Sequence, residues 1–313
     1  MDFSLCHKIT ENINKVMVGK ETAMKMILVA LLAEGHILLE DVPGVGKTLM
    51  TRTLARSIGG IFKRIQFTPD LLPSDVTGFN VYDQRSGEFK FQSGPIFSNV
   101  LLADEINRTI PRTQSSLLEC MEEGQVTVDG ATKPLPQPFL VLATQNPIEL
   151  EGTFPLPEAQ LDRFLMRIDL GYPSREEELF ILERFQKEDP LPGLEAVTEP
   201  EQIVILQRGR REVLVSPEVS NYIVTLTEET RSSPQVRYGA SPRASLHLMR
   251  AAQALAAVEG REYVLPDDVK SLAVSVLSHR LVMETKEKIK GVTPAEVLEE
   301  ILDKVPVPIP TLS

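Results

Sequence analysis

The feature that most constrains the fold is a glycine-rich turn, Gly44-Val45-Gly46-Lys47-Thr48, set directly between an apolar run and a helix-like stretch. Glycines allow backbone amides to close around phosphate oxygens, and the N-terminus of the following helix adds a favourable dipole. In such a loop the lysine reaches the β- and γ-phosphates, and the threonine hydroxyl ligates Mg²⁺. The turn therefore predicts a strand–loop–helix unit that holds a nucleotide.

One position departs from the general phosphate-loop pattern. The full pattern asks for glycine at position 41, where this chain has Asp41. Position 41 lies at the strand exit, away from the phosphate cradle, so we expect phosphate binding to survive the change. A glycine-rich turn followed by a chance Lys-Thr pair is the alternative, and the strand and helix on either side argue against it.

Two carboxylates follow a second apolar run at 100–103. An acid at a strand tip beside the phosphate loop holds Mg²⁺ through its waters, and Asp104 has that place. Glu105 is positioned to polarise the attacking water as general base. Acidic solvent loops are common, but this run follows the phosphate loop within one αβ unit, which favours the catalytic interpretation.

Short apolar runs alternate with amphipathic stretches over the first half of the chain, at 37–39, 62–67, 100–103, 139–143 and 165–170. Near-continuous apolar runs suit strands that are buried on both faces of a parallel sheet. Helices are predicted between the strands over 48–57 and 111–123, the second opening on a proline and closing at Gly124. The pattern predicts an α/β fold with a parallel sheet between helices.

The pattern becomes helical after Gly171, with periods at 175–187, 200–208, 217–229, 242–259 and 266–279. We therefore predict an αβα nucleotide-binding core over 1–171 and a smaller all-helical domain over 172–313. Two hairpins are predicted as insertions in the core, at 79–91 and about 125–137. The tail at 305–310 repeats proline and is predicted to be an extended strap.

The charge balance disfavours nucleic acid and membrane surfaces as partners. Lys and Arg number 33 against 44 Asp and Glu, a net charge of -11, whereas such surfaces bind basic patches. The charges within each predicted hairpin also cancel. The longest apolar run, 26–33, is far shorter than the ~20 residues that span a bilayer, and no secretory signal pattern is present. Cys6 and Cys120 are expected to be reduced thiols in a soluble, cytoplasmic protein.

Five ordered motifs resemble the AAA+ ATPases, specifically the MoxR family of the helix-2-insert clade, at 38–48, 102–108, 143–147, 158–164 and 239–244. The resemblance covers essentially the whole chain, and an acid at position 41 is usual in this branch. It implies a P-loop αβα core with a helical lid domain, ATP and Mg²⁺ as cofactors, and hydrolysis of the β–γ phosphoanhydride of ATP.

The resemblance also implies roles for single residues. Asn146 matches sensor 1, which helps position the lytic water, although Asn-Pro is also a common turn former. Arg163 matches the arginine finger that is presented to the neighbouring subunit's γ-phosphate; a local salt bridge with Asp162 is the alternative. Val18 and Gly19 match the segment that lies against adenine.

Arg243 matches sensor 2. Ser241 is a suitable N-cap and Pro242 a suitable first helical residue, so Arg243 falls in the first turn of a predicted helix. A cation there opposes the helix dipole, which is tolerable if an anion such as ATP lies opposite. The predicted catalytic residues are Glu105, Asn146, Arg163 and Arg243, and the predicted metal ligands are Thr48 and Asp104. The predicted nucleotide-binding residues are Val18, Gly19, Pro43, Gly44, Val45, Gly46, Lys47, Thr48 and Leu49.

The resemblance favours a homo-oligomeric ring, expected to be hexameric, that remodels or helps assemble a protein client. MoxR relatives often occur beside proteins with a von Willebrand A domain, so a separate protein of that kind is an expected partner. A metal-chelatase-like ATPase subunit, a nucleic-acid motor and a non-hydrolysing nucleotide switch are the alternatives. The charge and the neutral hairpins disfavour nucleic acid, and Glu105, Asn146 and Arg163 disfavour the switch.

Overall fold

The computed structural model describes residues 3–40, 42, 44–145, 152–186 and 189–308. The helices are α1 (Ser4–Asn14), α2 (Glu21–Leu32), α3 (Lys47–Ser57), α4 (Pro73–Thr77), α5 (Pro111–Glu123), α6 (Glu158–Leu161), α7 (Arg175–Phe185), α8 (Pro200–Arg210), α9 (Pro217–Ser232), α10 (Pro242–Val258), α11 (Pro266–Leu277), α12 (Thr285–Lys290) and α13 (Pro294–Lys304). The strands are β1 (Ile37–Glu40), β2 (Phe62–Gln66), β3 (Gly78–Asp83), β4 (Glu88–Ser93), β5 (Val100–Asp104), β6 (Gln125–Val128), β7 (Ala131–Pro134), β8 (Leu140–Gln145), β9 (Met166–Ile168), β10 (Val236–Tyr238) and β11 (Val282–Met283).

Five parallel strands form the central sheet, in the order β2-β5-β8-β1-β9. Successive residues of a strand enter different hydrophobic clusters, as Leu38 does relative to Ile37 and Leu39. Helices α1, α2 and α3 cover one face of the sheet, and α5 covers the other. The predicted α/β fold with a parallel sheet is therefore confirmed.

The strand order reverses at β1. The chain passes from β1 to the β2 edge and returns through β5 and β8, whereas β9 lies on the other side of β1. In open parallel sheets, ligands bind beyond the carboxyl ends of the strands where the order reverses. The glycine-rich turn follows β1 and so lies at this end of the sheet.

Strand β2 differs from the doubly buried strand predicted at 62–67. It is the edge strand beside β5, and Ile65 is the one buried residue among its five. An edge strand has one unpaired side, which accommodates polar residues. Arg64 and Gln66 alternate along it and so point to the same face of the sheet.

The helix boundaries follow the proline and glycine signals closely. Pro111 is the first residue of α5, and Gly124 ends this helix with φ 62°. Helix α3 begins at Lys47, one residue earlier than predicted. Helix α10 begins at Pro242 as predicted, but the Ser241 side chain makes no capping hydrogen bond.

Two antiparallel hairpins interrupt the alternation of strands and helices, β3 with β4 and β6 with β7. Asn80 donates to Asp129 Oδ2 at 2.7 Å, and the Lys133 ammonium lies 4.5 Å from the centre of the Phe91 ring. The two hairpins therefore contact each other and present a joint surface.

The described residues after Gly171 form helices and loops, together with the short antiparallel pair of β10 and β11. Helix α2 packs against α8 and α10, and one hydrophobic cluster continues from the sheet into these helices. A domain division at 171 stays a prediction. Residues 305–308 have no regular structure, and the rest of the predicted strap lies outside the described residues.

Both cysteines are buried and have no disulfide partner, and burial raises the pKa of each thiol to about 12. Within the described ranges, no helix combines the length and the apolar character needed to cross a membrane.

Candidate active site

The glycine-rich turn opens a cavity of about 390 Å³ at the carboxyl ends of the central strands. Gly44 and Gly46 have φ of 89° and 91°, left-handed values that other residues rarely adopt. A Cβ atom on either glycine would meet no atom within 4 Å, so both glycines border open space. Helix α3 begins at Lys47, and its N-terminal dipole favours an anion in this space.

The cavity brings together most of the predicted phosphate and metal residues. Its predicted lining residues are Gly44, Gly46, Lys47, Thr48, Leu49, Asp104 and Glu105, and its additional lining residues are Arg64, Gln66, Thr144 and Gln145. Val45 is buried in the core behind the loop, and Val18 does not line the cavity. Pro43 and Asn146 lie outside the described residues.

Thr144, at the end of β8, binds the carboxylate of Asp104, the last residue of β5, and the backbone of Glu105, which follows it. Its hydroxyl donates to Asp104 Oδ1 at 2.6 Å and accepts the Glu105 amide at 2.8 Å. Glu105 has φ 56°, a left-handed conformation that costs a non-glycine residue about 1–3 kcal/mol. Strain of this kind persists only where surrounding contacts hold it, and here it lets two successive carboxylates line one cavity.

Basic and amide side chains hold the same carboxylates. Arg64 Nη2 donates to Asp104 Oδ2 at 2.7 Å. Gln66 Nε2 and Arg108 Nη1 donate to Glu105 Oε2 at 2.5 and 3.0 Å. Both of these side-chain bonds to Glu105 reach the same carboxylate oxygen, Oε2.

The cavity fits a nucleotide phosphate with Mg²⁺. An ammonium group at a helix N-terminus supplies the positive charge that phosphate requires. Mg²⁺ is usually bound through one or two protein oxygens, with substrate phosphates and water as its other ligands. Thr48 and Asp104 supply a hydroxyl and a carboxylate to the same cavity. No cluster of three or more His, Cys, Asp or Glu able to hold a metal occurs in the described ranges, and Mg²⁺ that arrives with phosphates needs none.

A second cavity of about 640 Å³ lies on the other side of β1, beside β9, and Gly19 lines it. Gly19 has φ 67°, and a Cβ atom there would overlap the Glu177 carboxylate. The adjacent Lys20 is buried and donates to the carbonyls of Leu170 and Gly171 at 2.7 and 2.9 Å. These contacts fix the predicted adenine segment against the start of the helical region.

The predicted arginine finger, Arg163, and the predicted sensor 2, Arg243, lie together outside the cavity of their own chain. Arg163 Nε and Arg243 Nη2 lie 3.3 and 3.0 Å from the two carboxylate oxygens of Glu122, in the last turn of α5. Neither arginine lines the cavity that contains Lys47. The anion opposite Arg243 in this structure is the Glu122 carboxylate of the same chain, and the sensor 2 role of Arg243 stays a prediction.

In the described structure, Arg163 pairs with Glu122 and not with Asp162, the alternative partner. Asp162 Oδ1 accepts from Arg280 Nε at 2.8 Å, and Arg280 Nη2 donates to the Phe164 carbonyl at 2.5 Å. The residues on both sides of Arg163 are therefore bound to one buried guanidinium, while the Arg163 side chain turns to Glu122.

Comparison with known proteins assigns the family. Residues 36–166 match the ATPase family associated with various cellular activities (AAA), and residues 228–301 match the AAA lid domain. Over 95% of its length the chain is 45% identical to Chaperone MoxR1 of Mycobacterium tuberculosis, of which it covers 80%. The chain belongs to the MoxR family of AAA+ ATPases. Uncharacterized protein YeaC of Bacillus subtilis is also similar, at 53% identity over 97% of this chain and 95% of YeaC.

A solved structure agrees with this assignment. The crystal structure of a protein assigned as an ATPase, from Cytophaga hutchinsonii, superposes with a TM-score of 0.93 at 41% identity, covering 98% of this chain and 96% of that one. As a MoxR-family AAA+ ATPase the chain binds nucleotide, with Mg²⁺ as the usual metal, and ATP hydrolysis is the family's general activity.

Several residues around the MoxR-family site were not predicted from the sequence. Arg64 and Gln66 could have been found from the sequence, because two polar residues at a spacing of two in the predicted strand at 62–67 point to the same face of the sheet. The sequence indicated Thr144 less clearly, as the polar residue at the end of a buried strand. Glu122 was not indicated by the sequence, because its contacts with Arg163 and Arg243 arise only when α5 and α10 pack in three dimensions.

Proposed function

We propose that this MoxR-family ATPase assembles into a hexameric ring that remodels or helps assemble a protein client. ATP in the cavity of one subunit is hydrolysed with the help of Arg163 and Arg243 of the next subunit. The observation that supports this most directly is that both arginines meet at Glu122, outside their own cavity. A guanidinium that stabilises the transition state must reach the γ-phosphate, and the phosphate in its reach is then a neighbour's.

Within one subunit, the phosphate loop and the ends of β5 and β8 bind and orient ATP. Lys47 binds the β- and γ-phosphate oxygens. Thr48 and Asp104 would hold Mg²⁺, which would supply neutralisation of the phosphate charge. Glu105 accepts the proton of the attacking water, and Asn146 helps to orient this water. The adenine base lies in the second cavity, against Gly19, which lines this cavity and follows Val18 in the chain.

Glu122 has a place in this proposal as the partner that holds the two guanidinium groups before assembly. Two cations around one carboxylate carry a net positive charge, so the cluster still attracts a triphosphate. The Arg163 and Arg243 side chains are 30% and 39% exposed, which leaves them accessible to an adjacent subunit.

The hairpins support a protein client over a polynucleotide. Lys90 ion-pairs with Asp83, and the Lys133 ammonium lies over an aromatic ring, so both lysines are engaged within the chain. Tyr82 and Phe89 form an edge-to-face pair with ring centres 5.3 Å apart, and Phe89 stays 71% exposed. An exposed apolar pair on a hairpin without net charge suits a polypeptide better than a phosphate backbone.

Mixing two inactive variants tests the shared site. The Arg163→Ala variant has an intact ATP cavity but lacks the arginine finger. The Lys47→Ala variant has an impaired ATP cavity but an intact arginine finger. Mixed rings contain interfaces with an intact cavity and an intact finger, so ATPase activity returns in part. Mixing Lys47→Ala with Glu105→Gln is the matched control, because both defects lie in the cavity and no interface regains activity. The proposal fails if the first mixture also stays inactive while fluorescence energy transfer shows that subunits exchange.

A further inference from the structure

Helix α7 packs only loosely on its own chain. None of its eleven residues is buried. Its inward side consists of Glu177, Ile181 and Arg184, which follow helical spacing and are partly covered. Arg184 donates to the Asn14 carbonyl at 3.2 Å. Helices in proteins are stabilised mainly by packing of an apolar face, and α7 has not found such packing within one chain.

The opposite side of α7 is apolar and faces outward. Leu179 and Leu182 lie three residues apart on this side and are 58% and 65% exposed. Phe185 follows Leu182 by three more residues and is exposed as well, whereas Phe180 lies on another side of the helix, with the Arg184 guanidinium 4.8 Å from the centre of its ring. Contiguous apolar side chains on the surface mark interaction sites more often than isolated ones do. We call this surface, made by Leu179, Leu182 and Phe185, the α7 face.

A complementary groove lies between α9 and α10. It has a volume of about 490 Å³, and its apolar walls come from Ile223, Val224, Leu246 and Met249. Leu246 is 50% exposed. Arg231 is the one charged side chain among the groove's lining residues. We call this surface the α9–α10 groove.

The two surfaces lie on opposite sides of the subunit contact proposed above. The α7 face is on the nucleotide side, because Glu177 of the same helix lies against Gly19 at the second cavity. The α9–α10 groove is on the finger side, because Pro242 lines it and Arg243 is the next residue. A contact that brings Arg243 of one subunit to the nucleotide of another therefore also brings the groove towards α7.

The charges around the two surfaces match in part. Helix α7 carries exposed Glu176, Glu178 and Glu183 and one exposed cation, Arg175. The groove is lined by Arg231, and exposed Glu228 follows the groove residue Val224 by one helical turn. The excess of acidic side chains on α7 can pair with Arg231 at the rim of the contact.

We propose that the occupant of the α9–α10 groove is a second copy of this chain, and that the α7 face of one subunit docks into the groove of the next. The inference rests on the proposed ring with a shared ATP site. Because α7 lies beside the second cavity, this contact would connect the nucleotide of one subunit to the helix that carries Arg243 in the next subunit.

Disulfide trapping between two singly substituted chains tests the contact. Leu182→Cys chains are mixed with Leu246→Cys chains, with Mg²⁺ and a non-hydrolysable ATP analogue, and oxidised gently. We expect covalent dimers in the mixture and none with either chain alone, because the native Cys6 and Cys120 are buried. The matched control mixes Leu182→Cys with Ile289→Cys, whose native side chain is 82% exposed on α12.

The outcomes separate this contact from the ring itself. Dimers at least tenfold above the control mixture support the docking. Dimers at control level, with activity still restored between Arg163→Ala and Lys47→Ala, overturn the docking and leave the shared site standing. No dimers and no restored activity overturn both. As a second measurement, Leu179→Ser with Leu182→Ser is expected to raise the protein concentration for half-maximal ATPase activity at least tenfold; an unchanged concentration counts against the docking.

Discussion

Arg280 binds Asp162 across the junction between the lid helices and the sheet core, with Nε 2.8 Å from Oδ1. The Arg280 side chain is 2% exposed, and its Nη2 lies 2.6 Å from His247 Nδ1 on α10. Arg163 follows Asp162 in the chain, and Arg243 precedes His247 by about one helical turn. One buried guanidinium thus ties together the segments that carry both arginines of the proposed shared site.

This arrangement predicts that Arg280 positions the finger without touching ATP. Arg280→Lys keeps the charge but loses the planar set of donors. We expect the ATPase kcat to fall roughly 10–100-fold, the scale for a small misplacement of a catalytic group, while the Kd for ATP stays unchanged. Steady-state kinetics and nucleotide titration measure the two quantities. Arg261→Lys is the matched control, because Arg261 forms a two-point ion pair with Asp268 in the lid, at 2.6 and 2.8 Å, away from the finger.

Mixing Arg280→Lys with other variants distinguishes a role of Arg280 in positioning the arginine finger from a general effect on folding. Arg280→Lys should regain activity when mixed with Lys47→Ala, which supplies a sound finger, and should not when mixed with Arg163→Ala, which supplies none. Equal behaviour in both mixtures would argue that Arg280 only supports folding.

Glu105→Gln is expected to keep binding of ATP with Mg²⁺ and to slow turnover by roughly 10²–10⁴, the range for loss of a general base. The amide preserves the size of the side chain but cannot accept the proton of the attacking water. Single-turnover hydrolysis and a binding titration check both parts. Glu88→Gln, on the first hairpin, is the control for a change of charge alone. Turnover within a few-fold of the native chain would place the base elsewhere.

The role of the Thr144 hydroxyl can be tested with two substitutions, one that removes the hydroxyl and one that keeps it. Thr144→Val removes the bonds to Asp104 and to the Glu105 amide while keeping the shape of the side chain. Since a hydrogen bond to a charged group contributes about 1.5–3 kcal/mol, we expect turnover to fall roughly tenfold or more. Thr144→Ser keeps the hydroxyl and should retain most of the activity. Equal rates for the two variants would show that the hydroxyl does not order the carboxylates.

The sequence predicted which residues form the phosphate cavity, but it did not predict the contacts of the two arginines outside this cavity. Gly44, Lys47 and Asp104 were predictable because local strand–loop–helix geometry places them, and parallel strands bring their carboxyl ends to one edge. The pairing of Arg163 and Arg243 at Glu122 was not predictable, because it depends on how the lid packs on α5.

Arg64 illustrates the same limit within the sheet. The polar residues Lys63, Arg64 and Gln66 at 62–67 argue against a strand buried on both faces, but they do not show that β2 pairs with β5 and so lies beside the β5 carboxylates. Strand order is a tertiary property, so a pattern read along one strand does not contain it.

His36 makes the folded state sensitive to acid. Its Nε2 lies 2.9 Å from the Met121 carbonyl and its Nδ1 lies 3.1 Å from the Val141 amide, which together require the neutral ring. Burial lowers the pKa of His36 to about 4, against about 6.5 in the unfolded chain. Between these values the unfolded chain binds more protons, so the free energy of unfolding falls as the pH falls. We expect this one residue to cost about 2 kcal/mol of that free energy between pH 7 and pH 5.

Urea unfolding at the two pH values measures the effect of His36. His36→Gln, which cannot titrate, should show a smaller loss between pH 7 and pH 5 than the native chain, whatever its stability at pH 7. His7→Gln, at an exposed position, is the control and should leave the difference unchanged. An equal loss in the His36→Gln variant would contradict the assignment.

The last prediction concerns the class of client. We expect DNA and RNA to leave the ATPase rate unchanged at physiological salt, because the net charge is -11 and Lys90 is paired with Asp83 in the exposed hairpin. Polynucleotide affinity depends on the number of phosphates that cations neutralise and falls steeply with salt. Asp83→Asn with Glu88→Gln removes both acids of this hairpin and releases Lys90, so polynucleotide binding should appear in this variant at low salt and fade as salt is added. The variant also shows that the assay can detect such binding. Stimulation of the native chain by several-fold at physiological salt would favour a nucleic-acid motor over a protein-remodelling ring, since aromatic pairs such as Tyr82 and Phe89 can also stack on bases.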